Sequence, residues 1–303
     1  MSSSLPDGYT TRAATDADAE RMTALVRAAE EAVRDRSGID PDDLRSWWQL
    51  VELPTDSWIV ERDGELSAGA MLVAHGEVPD FWGVVRPDET GRGLGSALIE
   101  IGEQRARARG AAAMRVGTFA ENTAAVELFT SRGYRDVRHY YTMHISLTEA
   151  PAPEWPDGMR VETFRTEDAR AFYDALGDAF RDEWGWVAMD YDKWYRLRIE
   201  GDDGDPSLWF VVREGDEIAA VVRNDPNRYG GGWVGAIGVR APWRRRGLGL
   251  ALLQHTFAAF YERGTKEVRL GVDTQNSSGA TRLYERAGMT VELEEVIYER
   301  SLP

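Results

Sequence analysis

The chain has 303 residues, which at about 100 to 200 residues per domain predicts two globular domains. Hydrophobic residues make up 43% with 11 Trp, and there are no cysteines; a disordered chain, disulfide scaffolds, thiolate metal sites and a cysteine nucleophile are excluded. Against 36 Lys and Arg stand 52 Asp and Glu, a net charge of −16, so the mean field repels nucleic acid and anionic membranes, and neither is an expected partner.

The start, Met1 to Asp7, has neither a basic nor an apolar leader segment. With no uninterrupted apolar run of membrane-spanning length, the protein is expected to be cytoplasmic. The first half then reads as strand 8–13, helices 16–33 and 41–50, and strands 57–62, 65–74 and 80–86. Gly91, Arg92, Gly93, Leu94, Gly95 and Ser96 open a helix over 92–109, followed by strand 112–118, helix 122–132 and strand 134–147. The segment from Thr148 to Gly158 carries three prolines and reads as a semi-rigid linker. Beyond it the order repeats: strand 159–164, helices 166–181 and 191–199, strands 208–213, 217–223 and 233–240, helix 247–263, strand 266–272, a helix capped by Asn276 and ended by Gly288, and strand 291–300. Histidines His75, His139, His144 and His255 form no helical pair, so no metal is expected.

The repetition extends to motifs. Thr90-Gly-Arg-Gly93-Leu-Gly95 recurs 154 residues later as Arg244-Arg-Arg-Gly247-Leu-Gly249, and the run from Asn122 through Phe129 to Gly133 recurs from Asn276 through Tyr284 to Gly288. Two tandem domains of one α/β fold, each a mixed sheet flanked by helices, are implied, with residues 1–150 and 151–303 as their bounds.

A strand running into Arg244, Arg245, Arg246, Gly247, Leu248, Gly249 and Leu250 and then into an amphipathic helix places unsatisfied amides at a positive helix terminus, an anion site. Glycines let such a backbone curl around a diphosphate. The alternative is a tight strand-to-helix turn with solvated arginines. The spacing fits neither a P-loop nor a dinucleotide fingerprint.

The ordered pair of motifs, Gly-x-Gly turn and then Asn276 to Gly288 with Leu283-Tyr284, resembles the GCN5-related N-acetyltransferases over almost the whole chain. The resemblance implies acetyl-CoA as acyl donor, held by the Gly-rich turn, by the strand at Ile237, Gly238 and Val239, and by Asn276. It implies Tyr284 as the acid that protonates the departing sulfur. The alternative for Tyr284 is a core aromatic, since Ala280, Tyr284 and Ala287 share a helical face. Phe129 stands at the matching place in the first half and Thr90 where relatives carry Arg or Gln, so the first half is expected to be catalytically degenerate, though its turn from Gly91 to Ser96 could still hold acetyl-CoA. Many relatives place a basic glutamate on the strand before the turn. This chain has no acid from Gly232 to Val239, and Asp182 and Glu183 are the candidates for that role. Trp184, Trp186, Tyr191 and Trp194 lie where such proteins bind the acceptor, and aromatic faces near acids suit a cationic amine; helix packing is the alternative.

The function expected is acetyl transfer to a primary amine of a small molecule in the second half, by a monomer or homodimer. A narrower alternative resembles mycothiol synthase, also a tandem acetyltransferase, against which Trp233 stands where a strand glutamate would be favoured. An acyl-CoA-binding sensor or scaffold without turnover is the alternative of another class.

Overall fold

The computed structural model describes residues 5–74, 76–201, 205–276 and 278–303; Met1 to Ser4, His75 and Ser277 of the Asn276 motif lie outside them. The first half contains β1 (Thr10–Arg12), α1 (Ala19–Arg34), α2 (Pro41–Trp48), the single turn α3 (Leu53–Asp56), β2 (Ser57–Arg62), β3 (Glu65–Val73), β4 (Asp80–Val85), α4 (Leu94–Ala108), β5 (Ala113–Phe119), α5 (Thr123–Ser131) and β6 (Arg135–Ser146). The second contains β7 (Met159–Thr163), α6 (Ala169–Phe180), α7 (Tyr191–Tyr195), β8 (Phe210–Glu214), β9 (Glu217–Arg228), β10 (Gly231–Val239), α8 (Leu248–Glu262), β11 (Glu267–Asp273), α9 (Ala280–Arg286) and β12 (Thr290–Ser301). Among the helices and strands just named, only α3 has no counterpart in the sequence reading; it is one turn, too short to show a period.

Contacts divide the chain into two compact units, one running to His139 and including Glu294–Pro303, the other Tyr140–Leu293. Their sheets run β1-β2-β3-β4-β5-β12 and β7-β8-β9-β10-β11-β6. In each, one parallel pair (β4 with β5, β10 with β11) lies among antiparallel ones. Each half thus lends its last strand to the other half's sheet: Glu295 to Ser301 pair with Phe119 to Ala113, and Tyr140 to Ser146 pair with Asp273 to Glu267. The units therefore differ from the division at residue 150. Proline content marks irregular backbone, whereas strand partners are chosen by long-range pairing. The proline-rich stretch is itself fastened within the second unit: the Trp155 ring meets His255 edge-on at 5.9 Å, and Tyr261 Oη donates to the Thr148 carbonyl at 3.0 Å.

The second unit's sheet is covered on both faces. Leu248, Leu252, Phe257 and Phe260 of α8 are buried against one. Phe172 of α6 and Trp194 of α7 pack with Trp209 against the other. In the first unit α4 and α1 with α2 take the same two positions.

The junction residue His139 contacts Glu294 through Nδ1 at 2.6 Å and Asp136 through Nε2 at 2.8 Å. The Glu294 hydrogen bond first, then that of Asp136, raises its pKa above the ordinary 6.5. A proton held more tightly in the folded state stabilises fully below the unfolded pKa, and that contribution is lost as pH rises through the folded one. The first unit's thermal midpoint is expected to fall as pH is raised from about 6.5, and scanning calorimetry of His139→Asn should show that limb removed.

Candidate active site

Antiparallel pairing of β10 with β9 is interrupted between Val234 and Ala236, so Gly235 is a bulge. Parallel pairing of β10 with β11 covers only Gly232–Val234 opposite Val268–Leu270, after which the strands part. Arg240 N–H bonds the Ala219 carbonyl on the β9 side. By the alternation of a strand Gly238 N–H faces the same way, and the amides of Ile237 and Val239 face the opening toward β11. Gly238 is therefore corrected as an amide donor to a ligand. Its lack of a Cβ serves packing instead, since a methyl there would lie 2.6 Å from Ala179 Cβ at the end of α6.

Gly247 at the start of α8 has φ 85° and ψ −6°, and Arg245 before it φ 63°. Ala251 N–H is the first to bond back, to Gly247 C=O at 3.2 Å, which leaves the amides of Leu248, Gly249 and Leu250 pointing out of the helix end. A methyl on Gly249 would meet Leu283 Cδ2 of α9 at 3.0 Å. Gly249→Val should push α9 away and weaken coenzyme binding about tenfold or more, roughly the 1–3 kcal/mol cost of overpacking, which calorimetric titration would read.

The arginines do not act as one cluster. Arg240 pairs with Asp178 at 3.0 Å, Arg246 with Glu214 at 2.7 Å, and Arg244 donates to the carbonyls of Val239 and Ala179, both at 3.1 Å. Arg245 makes no ion pair among the described residues and is exposed. It is the cation left to face an anion.

Where β10 and β11 part, three side chains from different elements come together. Glu183, just beyond α6, accepts at Oε1 from Asn276 Nδ2 at 2.8 Å. Tyr284 of α9 is buried, and desolvation first, then the charge of Glu183, raises its phenol above the ordinary 10. Its hydroxyl makes no hydrogen bond among the described residues. Asn276 is corrected as a helix cap: α9 starts at Ala280, with Gly279 in the left-handed cap position at φ 80°. Asn122 does cap α5, accepting from Ala125 N–H at 3.2 Å. The second motif is one residue longer, and that residue frees Asn276 to reach Glu183.

The other expected residues separate. Asp182 is exposed, and Trp186, 37% exposed, lies with Trp184 in the loop before α7. Trp194 is 7% exposed and stacks on Phe172 with centroids 6.3 Å apart. Tyr191 stacks on Trp194 at 6.0 Å beneath the Arg170 guanidinium. Trp194 thus takes the packing role, with Tyr191 half-buried beside it.

In the first unit the turn keeps its backbone, Gly91 and Gly93 having φ 76° and 87°, but its setting differs. Arg92 pairs at 3.3 Å with the buried Glu89, which also binds Arg62, Arg86 and Tyr9. Pro6 Cγ lies 3.6 Å from where a Gly93 Cβ would be. Strand β4 has no bulge, and Phe129 packs on Tyr134 and Tyr298.

The fold recurs in known proteins. Residues 20–134 and 169–289 match the model of the acetyltransferase (GNAT) family. The chain belongs to the GNAT acetyltransferases. As such it is an acyltransferase with two GNAT regions. It is 29% identical to a mycothiol acetyltransferase of Catenulispora acidiphila over 92% of this chain and 96% of that one. With a mycothiol acetyltransferase of Thermobispora bispora it shares 30% over 94% and 97%. Among solved structures, a GCN5-related N-acetyltransferase from Sphaerobacter thermophilus superposes with TM-score 0.85 at 34% identity, covering 99% of this chain and 97% of that one. A tandem GNAT protein from the clavulanic acid biosynthesis pathway shares the fold at TM-score 0.77 and 14% identity, over 97% and 99%. No helix among the described residues of this GNAT protein is long and apolar enough to cross a membrane.

The sequence analysis did not single out a buried polar group on β9, Asp225 with Arg223. Its signal was available: the apolar run Ile218 to Val222 passes directly into Arg223-Asn-Asp225 within the same strand, and charges continuing a buried strand are seldom buried unpaired.

Proposed function

We propose that the second unit transfers the acetyl group of acetyl-CoA to a primary amine of a small molecule. The observation that carries this is the meeting of Glu183, Asn276 and Tyr284 at the parting of β10 and β11, beside a helix end with outward amides. The residues present fit the donor: the turn at Gly247 has no Cβ to obstruct it and holds unbonded amides beside Arg245. The amides of Leu248, Gly249 and Leu250 with Arg245 would hold a diphosphate. The amides of Ile237 and Val239 would line the arm that follows. Acetyl-CoA supplies an activated thioester.

The protein's part is positioning and proton transfer. Glu183 takes the proton of the attacking ammonium, either directly or through one water. Tyr284, kept protonated by burial and by the nearby carboxylate, gives its proton from Oη to the departing sulfur. Two protons leave the ammonium nitrogen, one to Glu183 before attack and one, as the amide forms, through water to the Tyr284 phenolate; the sulfur takes one from Tyr284 Oη and Glu183 releases the other to solvent, so the step balances. Asn276 holds the Glu183 carboxylate toward the opening. The first unit, with Phe129 and an unbulged β4, is read as non-catalytic.

Thiol release from acetyl-CoA over a panel of amines tests the reading, and binding without release across the panel would favour the sensor instead. Glu183→Gln should lower kcat about 10²-fold, the scale of a lost general base, and remove the acid limb of the rate profile. An unaltered profile would assign the base elsewhere.

A second reading, acetylation of the cysteinyl glucosaminyl-inositol amine, is favoured by the near full-length similarity to mycothiol acetyltransferases. Trp233 in place of a strand acid counts against it, and direct assay of that amine decides.

A further inference from the structure

We infer that Arg223 and Asp225 select an acceptor carrying a neutral hydrogen-bonding group, a hydroxyl or an amide, beside its reacting amine. The inference rests on acetyl transfer to an amine in the second unit and adds what that amine must carry.

The placement comes from strand register. On β9, Val221 packs into the cluster under α6 and α7, and the Arg223 guanidinium lies 6.0 Å from the Trp209 ring of that cluster. Alternation puts Asp225 on the same face. Its Cα partner across the ladder is Trp233, whose side chain therefore shares that face. Asp225 is 6% exposed, with Arg223 Nη1 at 3.2 and 3.4 Å from its two oxygens and Arg228 Nη1 at 3.8 Å.

The pair lies directly under the bulge. A methyl on Gly235 would come 2.7 Å from Arg223 Nη2 and 3.2 Å from Asp225 Oδ2. Gly235 and Trp233 are themselves partly exposed, and two residues on is Ile237, whose amide faces the opening. Tyr229, at the β9–β10 turn, has φ 52°, a conformation that favours Asn or Gly. Its ring meets Trp233 edge-on at 5.1 Å and carries the Arg228 guanidinium at 5.0 Å. Two aromatic rings and a charge pair thus flank the acyl-transfer opening on its acceptor side.

The chemistry follows from the pairing. A carboxylate faced by Arg223 and, at longer range, by Arg228 presents accepting oxygens and donating N–H groups with no net negative charge to hold a cation. A hydroxyl or amide can donate to one and accept from the other, whereas an alkyl group displaces water from the pair and offers neither contact. A second ammonium would meet Arg223. Sites built on such bonds reject analogues lacking the polar group far more strongly than apolar pockets reject an extra methylene.

The test compares kcat/KM, by thiol release with acetyl-CoA, for matched amines at equal concentrations of the neutral form: ethanolamine with propylamine, and glucosamine with cyclohexylamine. The hydroxylated member is expected to be preferred by about 10²-fold or more, through KM. Asp225→Asn should reduce that preference to below about threefold, with calorimetric acetyl-CoA binding reporting an intact fold. If Asp225→Asn does not bind the coenzyme, Gly235→Ala, which drives a methyl into the Arg223 guanidinium, decides by the same ratio. Equal kcat/KM within the pairs, or a preference retained in the variant, would overturn the inference and leave acetyl transfer standing. No transfer to any amine would remove both.

Discussion

Deleting Glu294–Pro303 is expected to abolish cooperative unfolding of the first unit while coenzyme binding by the second persists. The deleted residues run along β5 from Phe119 to Ala113 and bury Val296, Tyr298 and Leu302 in the core beneath α4. Each such side chain is worth about 1.5–3 kcal/mol, so the three together approach the roughly 5–15 kcal/mol that holds a whole domain. Polar links go with them: Arg300 to Glu103 at 2.7 Å, and Leu302 N–H to the Ala112 carbonyl at 2.7 Å. Glu103, 4% exposed, would keep Tyr134 and Arg107 but lose its closest arginine. The milder Tyr298→Ala should cost about 3–5 kcal/mol in the same unit. Calorimetry and proteolysis would show a protected fragment running from the junction at Tyr140 through the rest of the chain. A first-unit transition that survives the deletion would contradict the strand exchange.

Tyr284→Phe is expected to reduce kcat by about 10²–10³, the range of a positioned proton donor, with the coenzyme dissociation constant changed by less than about twofold. The substitution removes one oxygen and leaves the ring in place among its buried neighbours, so packing is conserved and the loss isolates the proton. Since burial and the Glu183 charge raise the phenol above the ordinary 10, wild-type turnover should show no alkaline limb from this residue between about pH 7 and 9. Equal loss in kcat and kcat/KM would mark an interaction made only in the transition state. Full activity in the variant would leave Tyr284 as a core aromatic, as Phe129 is in the first unit.

Much of this was legible locally. The duplicated motifs, the strand feeding a Gly-rich turn, the helix it opens and the Leu283-Tyr284 helix are all set by residues within a few positions of each other, where φ preference and apolar period act. Gly93 and Gly247 adopt the left-handed conformation at the start of α4 and α8, as a residue without a Cβ permits. The aromatic run before and within α7 misled: Trp194 has the chemistry of a ligand-binding ring and the position of a core one, and only burial against Trp209 and Phe172 separates the two.

The sequence by itself determined the fold of each half and the strand, Gly-rich turn and helix that each half repeats, and it proposed Tyr284 as the acid. Tertiary structure alone decided which sheet each terminal strand completes, that Asn276 turns from capping a helix to holding Glu183, that Arg240, Arg244 and Arg246 are engaged while Arg245 remains, and that Asp225 lies beneath the bulge at Gly235. The physical reason is range. Turns and helices follow from neighbouring dihedrals and periodicity, whereas strand partners and charge pairs depend on residues that only folding brings together, here separated by as many as 197 positions between Arg300 and Glu103.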